Sequence, residues 1–300
     1  MEDDTKQQND FEKQATPDLA RRDFVGLTAM GIAAAASSSA VAAAMPIEES
    51  DVEITTPDGT CDAAFIRPKH GSHAGVLLWP DAFGLRPSMR DMARRLAAEG
   101  YSVVVPNPFY RISKAPFTDA SKFDFRNADD MAKLRPLMAS VTAPGAGEKD
   151  AVAYVEFLDS QKEVNKSKKI GTQGYCMGGP LVMKTAASVP HRIGAGGTFH
   201  GGGLVTDKPD SPHLLAPKIK ARMYIAIAAS DDARQPDAKD KLREAFTAAH
   251  VNAEIEVYAG TAHGWCVPDM PMQGGKPIYD KAEAERAWAK LLALYKAGLA

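Results

Sequence analysis

Residues 168–180 read KKIGTQGYCMGGP, a short strand-like run ending in Gly174-Tyr175-Cys176-Met177-Gly178-Gly179. The G-x-C-x-G spacing predicts a nucleophile elbow, a sharp strand-to-helix turn. Gly174 and Gly178 leave room for the backbone to bend there without a side-chain clash. The usual form carries serine at the centre. A sulfur at Cys176 changes the nucleophile but keeps its platform, and the N-terminus of the following helix favours negative charge on it.

The rest of the chain supplies further strand-to-helix units. Val52–Thr55 and Ala63–Arg67, separated by Pro57-Asp58-Gly59, read as two antiparallel edge strands and a turn. Ala74–Trp79 is a continuous apolar run of the kind shown by a strand buried on both faces. It ends at Pro80-Asp81-Ala82-Phe83-Gly84. From Pro87 to Glu99, Met89, Met92, Ala93, Leu96 and Ala97 recur at helical spacing, and Gly100 is the stop signal. Tyr101–Pro106 is another buried strand.

Residues 107–147 carry four prolines and one expected helix near Asn127–Ser140, and read as a cap over the strand ends. A helix at Glu148–Ser160 feeds the elbow strand. Helix 179–188, strands 193–199, 223–229 and 253–258, a helix at 237–249 and an amphipathic helix at 280–299 complete the pattern. Alternating strands and helices imply right-handed crossovers and a mostly parallel sheet, an α/β fold with helices on both faces.

The first 44 residues read as an address rather than a fold element. Arg21-Arg22 precede Phe24, an uncharged apolar run from Gly26 to Ala36, and a small-residue stretch from Ser37 to Ala44. An acidic leader with its only arginines paired before a phenylalanine predicts a twin-arginine signal peptide, 1–44, and export by that machinery to the periplasm. The apolar run is too short to span a bilayer. One domain over 45–300 is expected. The leader holds seven acids and four bases, so the body is close to neutral. A near-neutral body without a basic stripe argues against nucleic acid and against an anionic membrane surface. Of three cysteines one must stay unpaired. Cys61 and Cys266 are read as buried small hydrophobes, with a disulfide between them left open.

In an open α/β sheet, ligands gather at the carboxyl ends of the strands. Asp81, Cys176, Asp232 and His263 all fall there. Nucleophile, acid, histidine is the chain order of the α/β-hydrolase triad. Cys176 would attack a carbonyl carbon, and His263 would carry the proton. Asp232 would hold the imidazole, preferred because Pro236 follows four residues on, with Asp231 the competing acid. Backbone N–H groups of Met177 and Ala82 would stabilise the oxyanion, each such donor being worth about 3 to 4 kcal/mol of barrier. His200-Gly201-Gly202-Gly203 follows the nucleophile in sequence, so it is not the oxyanion motif that precedes the nucleophile in lipases. No metal-ligand spacing and no phosphate cradle appear, and no cofactor is expected.

The runs WPDAFGL, AAEGYSVVVPNPFYR, GYCMGG and YAGTAHG, in this order, resemble the dienelactone hydrolase family, whose founding activity is carboxymethylenebutenolidase. The resemblance implies a Cys-Asp-His triad on Cys176, Asp232 and His263. It also implies a glutamate that meets the resting thiol, at the position held here by Asp81, and arginines that bind a substrate carboxylate. One of these falls on Arg111. The other would follow the triad histidine, where this chain reads Gly264-Trp265-Cys266-Val267. Phe83, Trp265 and Tyr110 would line a pocket for a more apolar ester or lactone. A general periplasmic carboxylesterase, or a redox-sensing or ligand-binding protein on the same fold, are the alternatives.

Overall fold

The computed structural model describes residues 45–272 and 274–300, so the expected signal segment lies outside the described residues. Eight strands form one sheet: β1 (Ile47–Thr56), β2 (Gly59–Pro68), β3 (Ala74–Trp79), β4 (Tyr101–Pro106), β5 (Ile170–Tyr175), β6 (Ile193–Phe199), β7 (Arg222–Ala228) and β8 (Ala253–Tyr258). Their order across the sheet is β1-β2-β4-β3-β5-β6-β7-β8. The β1–β2 hairpin is antiparallel, as is β2 on β4, and every remaining pair is parallel.

Alternation along each strand divides the core. On β3, Leu77 and Trp79 face one side while Val76 and Leu78 face the other. The second side is covered by α1 (Pro87–Ala98) through Met89, Met92 and Leu96, together with the C-terminal helix Lys281–Gly298 through Trp288, Leu291 and Tyr295. The first side takes α2 (Ala128–Thr142), α3 (Ala146–Ser160) and α4 (Gly178–Ser188), then α5 (Ala229–Arg234) and α6 (Ala238–Ala248) continue the chain before α7, the C-terminal helix. Tyr154, Leu158, Leu181, Val182, Leu242 and Phe246 are the buried contacts of α3, α4 and α6. Cys61 lies in the core of the first side and Cys266 in that of the second. The sheet separates them, and all three cysteines are free.

One difference from the sequence reading bears on the site. The segment after β7 winds directly into the short helix α5 rather than continuing as a loop. The stretch between β4 and α2 is irregular, as its prolines predict, apart from one 3-10 turn, Ala120–Lys122. Among the described residues no helix is long and apolar enough to cross a membrane.

Candidate active site

Cys176 follows β5 with φ of +50°, the left-handed conformation of a strained elbow, and its carbonyl accepts N–H bonds from Gly179 (3.1 Å) and Gly202 (3.2 Å). The two predicted glycines are required by packing. A Cβ on Gly174 would stand 2.2 Å from the Gly178 carbonyl oxygen, and one on Gly178 would stand 2.6 Å from that of Trp79. The elbow is therefore pressed against the end of β3, where the Asp81-Ala82-Phe83 loop begins. The Asp81 carbonyl takes the Gly84 N–H (3.0 Å) and Asp81 Oδ1 takes the Phe83 N–H (2.9 Å), bonds that leave the N–H groups of Ala82 and Met177 out.

His263 comes from the loop after β8. Its backbone N–H donates to Ser230 Oγ at 2.9 Å, and Nδ1 lies 2.8 Å from Asp231 Oδ2. The thiol of Cys176 lies near enough to this ring to act on its charge. Burial works against a charge on this ring, but the hydrogen bond to Asp231 and the influence of Asp231 and Cys176 on its charge outweigh it. The pKa of His263 is thereby raised to about 10. Cys176, His263 and Asp231 thus converge at the carboxyl ends of β5, β8 and β7.

Asp232 is not the carboxylate at the histidine. Residues 231 and 232 sit in the first turn of α5, where successive side chains point about 100° apart. Asp231 therefore reaches the histidine and Asp232 turns to Lys239, 2.7 Å away. The expectation that a downstream proline marks the acid fails because the turn of α5, not the distance to Pro236, decides which carboxylate faces His263.

Asp81 also departs from its expected role. It is buried, and both carboxylate oxygens are taken by Arg86, with Nη1–Oδ1 at 2.7 Å and Nη2–Oδ2 at 2.9 Å. Arg86 is itself buried and donates onward to Asp269 from Nε (2.7 Å) and Nη2 (2.8 Å). A carboxylate fixed in such a fork is occupied as an ion-pair partner rather than waiting for a thiol.

Arg111 is engaged as well. It donates to Asp150 from Nη1 (2.9 Å) and Nη2 (2.8 Å), and to Asp58 from Nη2 (2.8 Å), tying the β1–β2 turn to α3. Tyr110 belongs to the same cluster, its hydroxyl donating to Asp150 Oδ1 at 2.8 Å. Neither group is available to a substrate carboxylate. Phe83 and Trp265 are fully covered core rings, not pocket walls. Phe83 packs on Phe123 and Phe125, with centroids 5.3 and 5.5 Å away, and Phe125 is the exposed member of that cluster.

Sequence reasoning missed three participants. Arg86 carried no signal beyond its place before Pro87. Asp269 is brought in only by the tertiary fold. His200 was set aside with the glycine run that follows it, yet its ring lies 4.8 Å from that of His263. Among the described residues, no group of three or more His, Cys, Asp or Glu side chains is placed to hold a metal ion.

The model of the dienelactone hydrolase family matches residues 61–299. The chain belongs to the dienelactone hydrolase family. It is similar to the carboxymethylenebutenolidase of Rhodococcus opacus, 26% identical over 200 residues that cover 65% of this chain and 71% of that one. A solved structure named m3DLH is 25% identical with a TM-score of 0.68, covering 85% of this chain and 99% of its own. A dienelactone hydrolase-like promiscuous phosphotriesterase from metagenomic libraries has the same fold. Its TM-score is 0.69 at 22% identity, over 85% of this chain and all of that one. The parallel sheet with helices on both faces is thus the α/β-hydrolase fold, and the dienelactone hydrolase kinship makes this chain a carboxylic ester hydrolase.

Proposed function

We propose that the protein cleaves an ester or lactone through a thioester formed on Cys176, with His263 as proton carrier and Asp231 as the acid of the triad. The observation that carries this reading is the 2.8 Å contact between Asp231 and His263, on a ring whose other neighbour is the Cys176 thiol. The thiolate attacks the carbonyl carbon, and the negative charge that develops on the carbonyl oxygen meets the N–H groups of Met177 and Ala82. Protonated His263 then gives its proton to the departing alkoxide. In the second half the neutral ring takes a proton from water, hydroxide attacks the thioester, and the sulfur leaves as thiolate beside the recharged histidine. Asp231 holds Nδ1 as the proton-bearing nitrogen, so that the other ring nitrogen serves the reaction.

The substrate we favour is uncharged. Arg86 and Arg111 are each bound to two carboxylates, and the segment after His263 has no arginine. A redox role gains no support from Cys61 and Cys266, which are buried on opposite sides of the sheet. The leader at 1–44 we read as a twin-arginine signal that sends this hydrolase to the periplasm.

The test is to offer excess cis-dienelactone and, separately, an uncharged aryl ester to the mature protein, following product release by absorbance. We expect the aryl ester to turn over, dienelactone to be poor, and Cys176→Ala to abolish the activity. Turnover that survives Cys176→Ala, or no turnover of either substrate, overturns the mechanism.

A further inference from the structure

Immediately after β6, His200 adopts φ of +40° while its N–H donates to the Ala226 carbonyl on the neighbouring strand at 2.8 Å. A non-glycine residue in the left-handed region persists only where its surroundings hold it there. The ring is fully buried. Neither Nδ1 nor Nε2 has a hydrogen-bond partner among the described residues, which is uncommon for a buried polar group and calls for a reason. The contacts are with rings. His263 lies 4.8 Å away and Trp265 5.4 Å away, both at 70° between planes, with Tyr175 at 6.1 Å. Burial first, and the charge of His263 second, hold His200 neutral.

This arrangement answers a mechanical problem at His263. The Cβ–Cγ bond and the hydrogen bond at Nδ1 hold one edge of the imidazole and leave the ring able to swing about that edge. A swing carries the opposite nitrogen away from the sulfur. A second ring packed edge-to-face against it blocks the swing, and such pairs have a preferred geometry because a positive edge meets an electron-rich face. We infer that His200 is a positioning residue for His263, a neutral ring wall that sets the plane of the imidazole so that one nitrogen faces Asp231 while the other faces Cys176. The inference rests on the Cys176–His263–Asp231 reading and adds a fourth side chain to it.

The titratable groups facing the two rings are Tyr175 beside His200, and Asp231 and Cys176 beside His263. Tyr175 is kept neutral by its burial, so a change in the reactivity of Cys176 after substitution at 200 reports on His263.

Two variants test this, His200→Ala, which removes the wall, and His200→Phe, which keeps a ring and removes its nitrogens. The readout is the rate of Cys176 alkylation by iodoacetamide between pH 5 and 10, located by peptide mass, alongside kcat and KM on an aryl ester. Misplacing a reacting group by about 1 Å costs up to roughly 100-fold. His200→Ala should therefore lower both the alkylation rate near pH 7 and kcat by about 10- to 100-fold, with KM within about 2-fold. His200→Phe should recover both to within about 3-fold. Wild-type reactivity in folded His200→Ala overturns the inference. So does a folded His200→Phe as slow as His200→Ala, because the ring nitrogens would then be what matters. Absence of ester turnover in the wild type would sink the hydrolytic mechanism, and the alkylation comparison would still decide the part played by His200.

Discussion

Adjacent aspartates on one turn of helix make a strict test of which carboxylate serves the histidine. Asp231 Oδ2 is 2.8 Å from Nδ1 of His263, whereas Asp232 is bound to Lys239. An amide at 231 presents the same shape without the charge, so it neither favours the required tautomer nor balances a charged ring. In a triad this substitution costs roughly 10,000-fold in kcat for a serine nucleophile. Asp231→Asn should lower kcat on an aryl ester by roughly 100- to 10,000-fold, a wide range because the sulfur needs less help from the histidine. Asp232→Asn, which gives up only a half-exposed pair with Lys239, should stay within about 3-fold. The reverse pattern in steady-state kinetics would return the acid to position 232.

At the scale of elements, much of the fold was legible and the gaps follow a pattern. Strand and helix periodicity placed all the parallel strands and all the major helices, because burial on both faces of β3 to β6 leaves runs that fit little else. The elbow was legible because Gly174 and Gly178 answer local steric demands. What was not legible depends on partners distant in sequence. Arg111 carries no mark of its attachment to Asp58 and Asp150, and Arg86 none of its bridge from Asp81 to Asp269. This bridge joins the loop after β3, which carries the Ala82 N–H, to the segment six residues beyond His263. It is a buried ion pair, and removing one partner of such a pair strands the other, at a cost of about 3 to 5 kcal/mol. Arg86→Met should therefore lower stability by about that much in urea unfolding, and Asp81→Asn by less, since an amide can still accept from the guanidinium. If Asp81 instead served the thiol, Asp81→Asn would leave stability unchanged and slow Cys176 alkylation, and this result would restore the family's glutamate role to it.

The whole molecule must also reconcile a free thiol with the proposed destination. An oxidising compartment permits disulfides, yet Cys61 and Cys266 are buried on opposite sides of one sheet, and Cys176 stands half-buried at the elbow, against the core of the first side; all three are free. The body can thus reach its native packing with no disulfide to form, and once packed it hides two of its three thiols. Folding before transport suits such a chain, because the two hidden thiols would never meet an oxidant in the unfolded state. The twin-arginine route carries folded cargo, so the thiol arrangement is compatible with the export we propose from the paired Arg21-Arg22. Expressed whole in a bacterium with that machinery, the protein should appear in the periplasmic fraction shortened by about 44 residues, cleavage falling after the small-residue stretch. Replacing both arginines with lysine should leave the 32.1 kDa precursor in the cytoplasm. A wild-type chain found uncleaved in the cytoplasm, or exported equally well without the arginine pair, would remove the basis for placing this hydrolase outside the cytoplasm.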